Sequence, residues 1–337
     1  MVSLDTLLKE LILLTLLQTL LLTISFALSF AHAETSTDDD VWQARVDLDH
    51  PLVGRWLDSN DQLLPDKSLP PIDLTGTDVL FLGENHGHPD HHAMQLRLLK
   101  KWLGEGQRFT LAFEIFDLDD QPIIDAFQRA GNKDADALAE AVGMADRGWP
   151  WEYYRPLVSL ALEQSLPIRA INLSREQARA IAQFGWDAVP DPSMRTRLQE
   201  PGRFDQAVID EWESDIIAAH CGYLNPSQAS AMLKSQQARD AAMAEALAQA
   251  DLPVIVIVGS EHARLDRGVP LWLRELRPDW RITSVGMTPV QPDLLEADDY
   301  RTESRRFDWR WFTPRKHERS ACERFREQLE SMRQPSQ

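Results

Sequence analysis

The sequence predicts an α/β protein: a largely parallel central sheet with helices on both faces, in three layers, carrying a helical insertion. Three observations predict it. Five short runs of apolar, β-branched and aromatic residues read as buried strands: DVLFLG (78–83), FTLAFEIF (109–116), LPIRAINL (166–173), LPVIVIVGS (252–260) and WRITSVGM (280–287). Helical patterns lie between these runs, and strands alternating with helices imply a parallel sheet covered on both sides. The chain, at 337 residues, is long enough to bury a sizeable core.

Taken in order, the chain opens with LILLTLLQTLLLTISFALSFAHA, which follows Lys9 and ends in Ala31-His32-Ala33. An apolar core ending in small residues at an A-x-A predicts a secretory signal peptide over residues 1–33. Asp5 and Glu10 offset Lys9, and an apolar run of about twenty residues can also span a bilayer, so a retained N-terminal anchor is the alternative. Both readings place the body of the protein outside the cytoplasm, in the periplasm if the leader is cleaved. One α/β domain is expected over 34–325, with a short tail at 326–337.

The first strand runs into HPDHHAMQLRLLKKWL. Here Pro89 suits a first helical turn and Met94, Leu98 and Trp102 form one stripe. The second strand holds a carboxylate, Glu114, among apolar neighbours. Such a group is costly to bury unless it is paired. RGWPWEYYRPL (147–157) follows, with two of the four tyrosines of the chain. Ser174 opens a helix after the third strand, and Asn225-Pro226 opens a longer one. Residues 190–223 read as the helical insertion, and the Arg- and aromatic-rich stretch from Tyr300 onward is expected to pack back on the domain.

Open sheets of this type bind ligands outside the carboxyl ends of their strands. Glu84 and His86 follow the first strand, Glu114 ends the second, Asn172 the third, and Glu261, His262 and Asp266 follow the fourth. Residues 86–92 alone hold four of the nine histidines: His86, His88, His91 and His92. Their convergence predicts a shared polar site. Its chemistry admits three readings. Imidazoles with carboxylates can hold Zn, Mn, Fe or Co and activate water for hydrolysis. Glu84 or Glu114 can work with a histidine in acid–base chemistry without metal. The aromatics Trp149, Trp151, Tyr153 and Tyr154 could instead line a haem slot, with His, Tyr or Met as axial ligand, or simply pack beneath a helix.

Several classes are excluded or disfavoured. A net charge of −18 argues against non-specific nucleic-acid binding. The sequence holds no phosphate loop, no dinucleotide-binding glycine motif and no G-x-S-x-G nucleophile elbow. Cys221 and Cys322 are the only cysteines; an oxidising compartment permits a disulfide between them, and two unrelated thiols are the other reading.

Gly83-Glu84-Asn85-His86 with His91, His92 and Gln95 resembles the opening motif of the ChaN-like haem-binding uptake proteins. These belong to the Tiki/TraB/erythromycin-esterase superfamily. Segments 112–125, 149–176, 218–224, 236–247, 254–270 and 309–325 resemble its later motifs in order, over residues 45–325. Two Gly-x-x-His motifs, a glutamate and an arginine mark the superfamily, and the matching positions are His86, His262, Glu114 and Arg239. The resemblance implies an exported haem-binding protein of haem and iron uptake. His86, Tyr154, Trp151 and Arg239 would contact haem near the strand ends or across a homodimer, and envelope haem-transport components would be the partners. The alternative it implies is a cell-envelope hydrolase acting through Glu84, His86, Glu114 and His262, with a divalent transition metal on His86, Glu114 and His262. Family members are often lipoproteins, whereas this chain has no cysteine in its first 200 residues to carry a lipid.

Overall fold

The computed structural model describes residues 42–64, 69 and 72–326. The expected signal peptide, and the tail beyond residue 326, lie outside the described residues. No helix among the described residues is long and apolar enough to cross a membrane.

Seven strands form one sheet: β1 (Trp56–Asp58), β2 (Val79–Glu84), β3 (Thr110–Asp117), β4 (Ile168–Asn172), β5 (Val254–Gly259), β6 (Ile282–Pro289) and β7 (Trp309–Thr313), in the order β1-β7-β6-β2-β5-β3-β4. Every pairing is parallel except that of β1 with β7 at one edge. All five runs read as strands are strands. The two that escaped notice are β1, of three residues, and β7, whose WRWFT lies in the arginine-rich C-terminal stretch. That stretch packs back by adding a strand to the sheet.

Nine α-helices cover the two faces among the described residues: α1 (Pro89–Gly104), α2 (Gln121–Arg129), α3 (Ala135–Ala141), α4 (Trp151–Glu163), α5 (Arg175–Phe184), α6 (Pro192–Leu198), α7 (Gln206–Ala219), α8 (Pro226–Leu247) and α9 (Val269–Leu276). Side chains alternate across a strand, so β2 supplies both layers. Val79 and Phe81 join a core with α5, α6, α8 and α9, while the buried Leu80 and Leu82 alternate to the opposite face. Helix α1 packs on β2 and α4 and buries Met94, Leu98 and Trp102. Helix α8 is alanine-rich where it is buried, which brings its backbone close to its neighbours. Ser174 and Asn225 each cap their helix, with Gln177 and Gln228 closing the boxes. The insertion at 190–223 holds α6 and α7.

Two covalent or polar fastenings tie the C-terminal part to this frame. Cys221, just beyond α7, forms a disulfide with Cys322, 101 residues later. The segment after β7 lies over the β2–α1 loop. His88 Nε2 donates to the carbonyl of Pro314 at 2.9 Å, and His91 accepts the Asn85 N–H at Nδ1 and donates from Nε2 to Thr313 at 3.0 Å. The two rings stack with centroids 4.1 Å apart, and Lys316 Nζ donates to the Gly87 carbonyl at 2.7 Å. Asp90 in turn accepts the N–H groups of Gln43 and Ala44. Half of the histidine cluster is therefore a buried clasp rather than a site.

Replacing both cysteines by serine should lower stability by about 3–5 kcal/mol, because a loop of this length is freed in the unfolded chain; urea unfolding measures it, and an unchanged midpoint would count against the bridge. Burial, with His88 and His92 nearby, holds the His91 pKa well below its ordinary 6.5. The folded protein resists protonation there while the unfolded chain accepts it, so this contribution is present above about pH 6.5 and is lost as pH falls below it. The stability advantage of the native protein over a His91→Gln variant should shrink from about pH 7.5 to about pH 5. A constant difference would sink the assignment.

Candidate functional site

Parallel register brings the carboxyl ends of the strands together. Glu84 of β2 lies opposite Gly259 of β5, and Glu114 stands where the register of β3 with β4 shifts between Phe113 and Asp117. An irregularity of that kind re-aims a side chain at a sheet's rim. Asn172, at the end of β4, donates to the Glu114 carbonyl at 3.0 Å and stabilises the shift.

Two buried carboxylates organise the site. One oxygen of Glu84 accepts the Tyr154 hydroxyl and faces His86 Nδ1 at 3.0 Å. The other accepts Gln95 Nε2 at 3.0 Å and lies 3.2 Å from His92 Nδ1. Glu114 accepts the Gly259 N–H at 2.7 Å; His262 Nε2 lies 3.3 Å from one of its oxygens and His86 Nε2 3.8 Å from the other. Beyond His262, Asp240 of α8 meets Nδ1 at 2.5 Å. The result is an alternating chain, Asp240–His262–Glu114–His86–Glu84. Of these five, only the His86 side chain is substantially exposed, at 43 %.

The charges follow from that alternation. Burial opposes a charge on His262, yet Glu114 and Asp240 outweigh it and raise its pKa far above the ordinary value. Burial opposes the Glu114 carboxylate too, but His262, His86 and the Gly259 N–H hold it well below the carboxylate range. Asp240 is pushed up, chiefly by burial. For His86, Glu114 and Glu84 overcome burial and raise its pKa. The chain can thus hold protons in a buried line and present one at His86. Tyr154, 1 % exposed, is kept protonated by burial and by Glu84.

Glu84, His86, Glu114 and His262 come together as the strand ends foretold. Trp151 and Arg239 lie elsewhere: the Trp151 indole donates to Asp136 at 2.8 Å, and Arg239 falls within electrostatic reach of Asp117. The tryptophan on the site is Trp149, whose ring meets His86 edge-on at 4.9 Å. His92 reaches Glu84 between Tyr153 and Tyr154. Asp240 was missed, although it is the next residue after Arg239 in the motif.

The arrangement bears on cofactors. Among the described residues no group of three or more His, Cys, Asp or Glu could hold a metal ion. The physical reason at His262 is that both ring nitrogens face carboxylates, and an imidazolium has no lone pair to give. A flat macrocycle fits better. Above His86 and His262 opens a cavity of about 870 Å³, with an apolar wall from Trp212, Ile216 and Phe307. Sulfur and nitrogen donors line it at Met232, Met287 and His220. Arg267 also lines it, 1 % exposed. Its Nη2 bridges Asp215 and Glu261 at 2.6 Å each, while Nε and Nη1 have no hydrogen-bond partner.

Gly259 carries a test of this geometry. A Cβ there would stand 2.8 Å from His86 Nε2, and the half-exposed ring can yield outward. Gly259→Ala should therefore leave the fold intact while moving His86 off Glu114, seen as a fall in the His86 pKa toward 6.5 by NMR titration. An unmoved His86 resonance would refute the contact.

Comparison with known proteins supplies the lineage. ChaN of Campylobacter jejuni, solved with cofacially bound haem, matches with a TM-score of 0.62 and 21 % identity over 76 % of this chain and 95 % of its own; that likeness shows a shared fold. A Bacillus cereus protein (TM-score 0.38, 12 % identity, 64 % of this chain and 67 % of its own) and an erythromycin esterase in its open conformation (0.37, 11 %, 66 % and 75 %) are too distant to argue from. No curated protein is similar to the chain. The sequence model described as haem-binding uptake, Tiki superfamily, ChaN, matches residues 72–273, and the chain belongs to that family.

Proposed function

We propose that this protein is an exported haem-binding protein of haem and iron uptake, and that haem lies in the cavity at the carboxyl ends of the strands. The observation that carries the reading is that cavity in a chain of the haem-binding uptake family: it is apolar-walled and lined by side chains able to ligate iron. In this reading bound haem supplies an iron centre that accepts an axial ligand. His86 lines the cavity between Glu84 and Glu114, and Tyr154 holds Glu84 and thereby His86 in place. Export by the N-terminal segment, a homodimer and hand-over to envelope haem-transport components belong to the same reading.

A second reading has its own observation. The carboxylate–imidazole chain reaches the cavity through its one exposed ring, His86, as an acid–base hydrolase would require. It predicts that Glu114→Ala abolishes hydrolysis while the fold survives.

Haemin titrated into the chain from Glu34 onward, with metal analysis of the same sample, separates the two. The uptake reading expects a saturable Soret change with little bound transition metal, and His86→Ala should weaken binding about tenfold or more. No Soret change would overturn it, and a hydrolysis that Glu114→Ala abolishes would then favour the hydrolase.

A further inference from the structure

We propose that His220, through Nε2, is the side chain that ligates the iron of haem in the cavity, an assignment that rests on the haem-binding reading above. His220 closes the C-terminal end of α7 and lines the cavity. Its Nδ1 lies 2.8 Å from the Ile216 carbonyl. A carbonyl only accepts, so Nδ1 carries the proton and Nε2 keeps its lone pair. Metal-binding histidines use this same arrangement: the second ring nitrogen donates to a backbone carbonyl, which fixes the tautomer and the plane of the ring.

The other imidazoles on this cavity are committed differently. His262 faces Asp240 with one nitrogen and Glu114 with the other. His86 faces Glu84 with Nδ1 and Glu114 with Nε2. A ring drawn into its cationic form between carboxylates offers nothing to iron. His220 differs in that its partner is a single neutral carbonyl on its own helix.

Its position is also held from both sides. The His220 N–H bonds into the last turn of α7, to Ile216 at 3.1 Å, and the next residue is the bridged Cys221. Met232 and Met287 place thioether sulfurs on the same cavity, and histidine with methionine is one of the ligand pairs used on haem iron.

His220 would hold ferric haem through the Nε2 lone pair, in exchange for a water or hydroxide ligand and without electron transfer. The test is haemin titration of the full mature chain and of His220→Ala, followed by absorbance. Circular dichroism checks that each is folded, and His317→Ala serves as a control for an exposed histidine away from the cavity. The native protein should give a saturable Soret change that His317→Ala reproduces. His220→Ala should shift the Soret maximum and bind about tenfold or more weakly, and free imidazole should restore the native spectrum. A folded His220→Ala with native spectrum and affinity would overturn the ligand assignment and leave the haem reading standing. A native protein that leaves the haemin spectrum unchanged would overturn both.

Discussion

The burial of Glu114 is the constraint on which the site depends. A carboxylate 3 % exposed among Phe113, Ile115 and Phe116 is tolerable only with donors on its oxygens. Those donors come from separate parts of the chain: the Gly259 N–H from the end of β5, His262 from the loop that follows, and His86 from the loop after β2. His262 brings Asp240 and hence α8 into the same network, and His86 brings Glu84, Tyr154 and α4. One buried charge thereby fixes where three strand ends and two helices meet. Removing it would leave a cationic ring and a backbone N–H without their acceptor, a worse outcome than never having buried the group.

Much of the architecture was legible because buried parallel strands are continuous apolar runs that few other structures imitate. β2 to β6 announced themselves in that way. β1 and β7 did not: one has three residues, and the other alternates tryptophan with arginine beside the edge strand. In the site, residues at strand ends were legible and residues on helices were not. Successive helical residues point about 100° apart, so Arg239 and Asp240 face different surroundings although only one peptide bond separates them. The same limit applies to the aromatic stretch. Sequence offers Trp149 and Trp151 equally, and only the turn before α4 decides that the first meets His86 while the second goes to Asp136. Pairing of Cys221 with Cys322 was open for a different reason: no periodicity reports a distance across 101 residues.

The four histidines of residues 86–92 divide by burial and partner. His86 reaches the cavity, His92 supports Glu84 from beneath, and His88 and His91 hold the C-terminal segment. The division explains opposite electrostatics within seven residues. Carboxylates raise His86, whereas burial lowers His88, His91 and His92. A histidine-rich loop in a sheet of this type therefore mixes groups that carry charge with groups that must stay neutral. Counting them says little about metal binding.

The strand order has a consequence for how the protein comes into being. β2, which carries Glu84 and leads to His86, is flanked by β5 and β6, both encoded far downstream. The loop after it is then covered by the segment that follows β7, near the C-terminal end of the described chain. During synthesis the first half of the polypeptide emerges with its central strand lacking both neighbours. The cavity cannot close until nearly all of the chain has left the ribosome. Such distant pairings slow folding, so the nascent protein spends its early life with apolar strand surface uncovered. A chaperone that holds the growing chain unfolded would meet little competition from premature structure at the site.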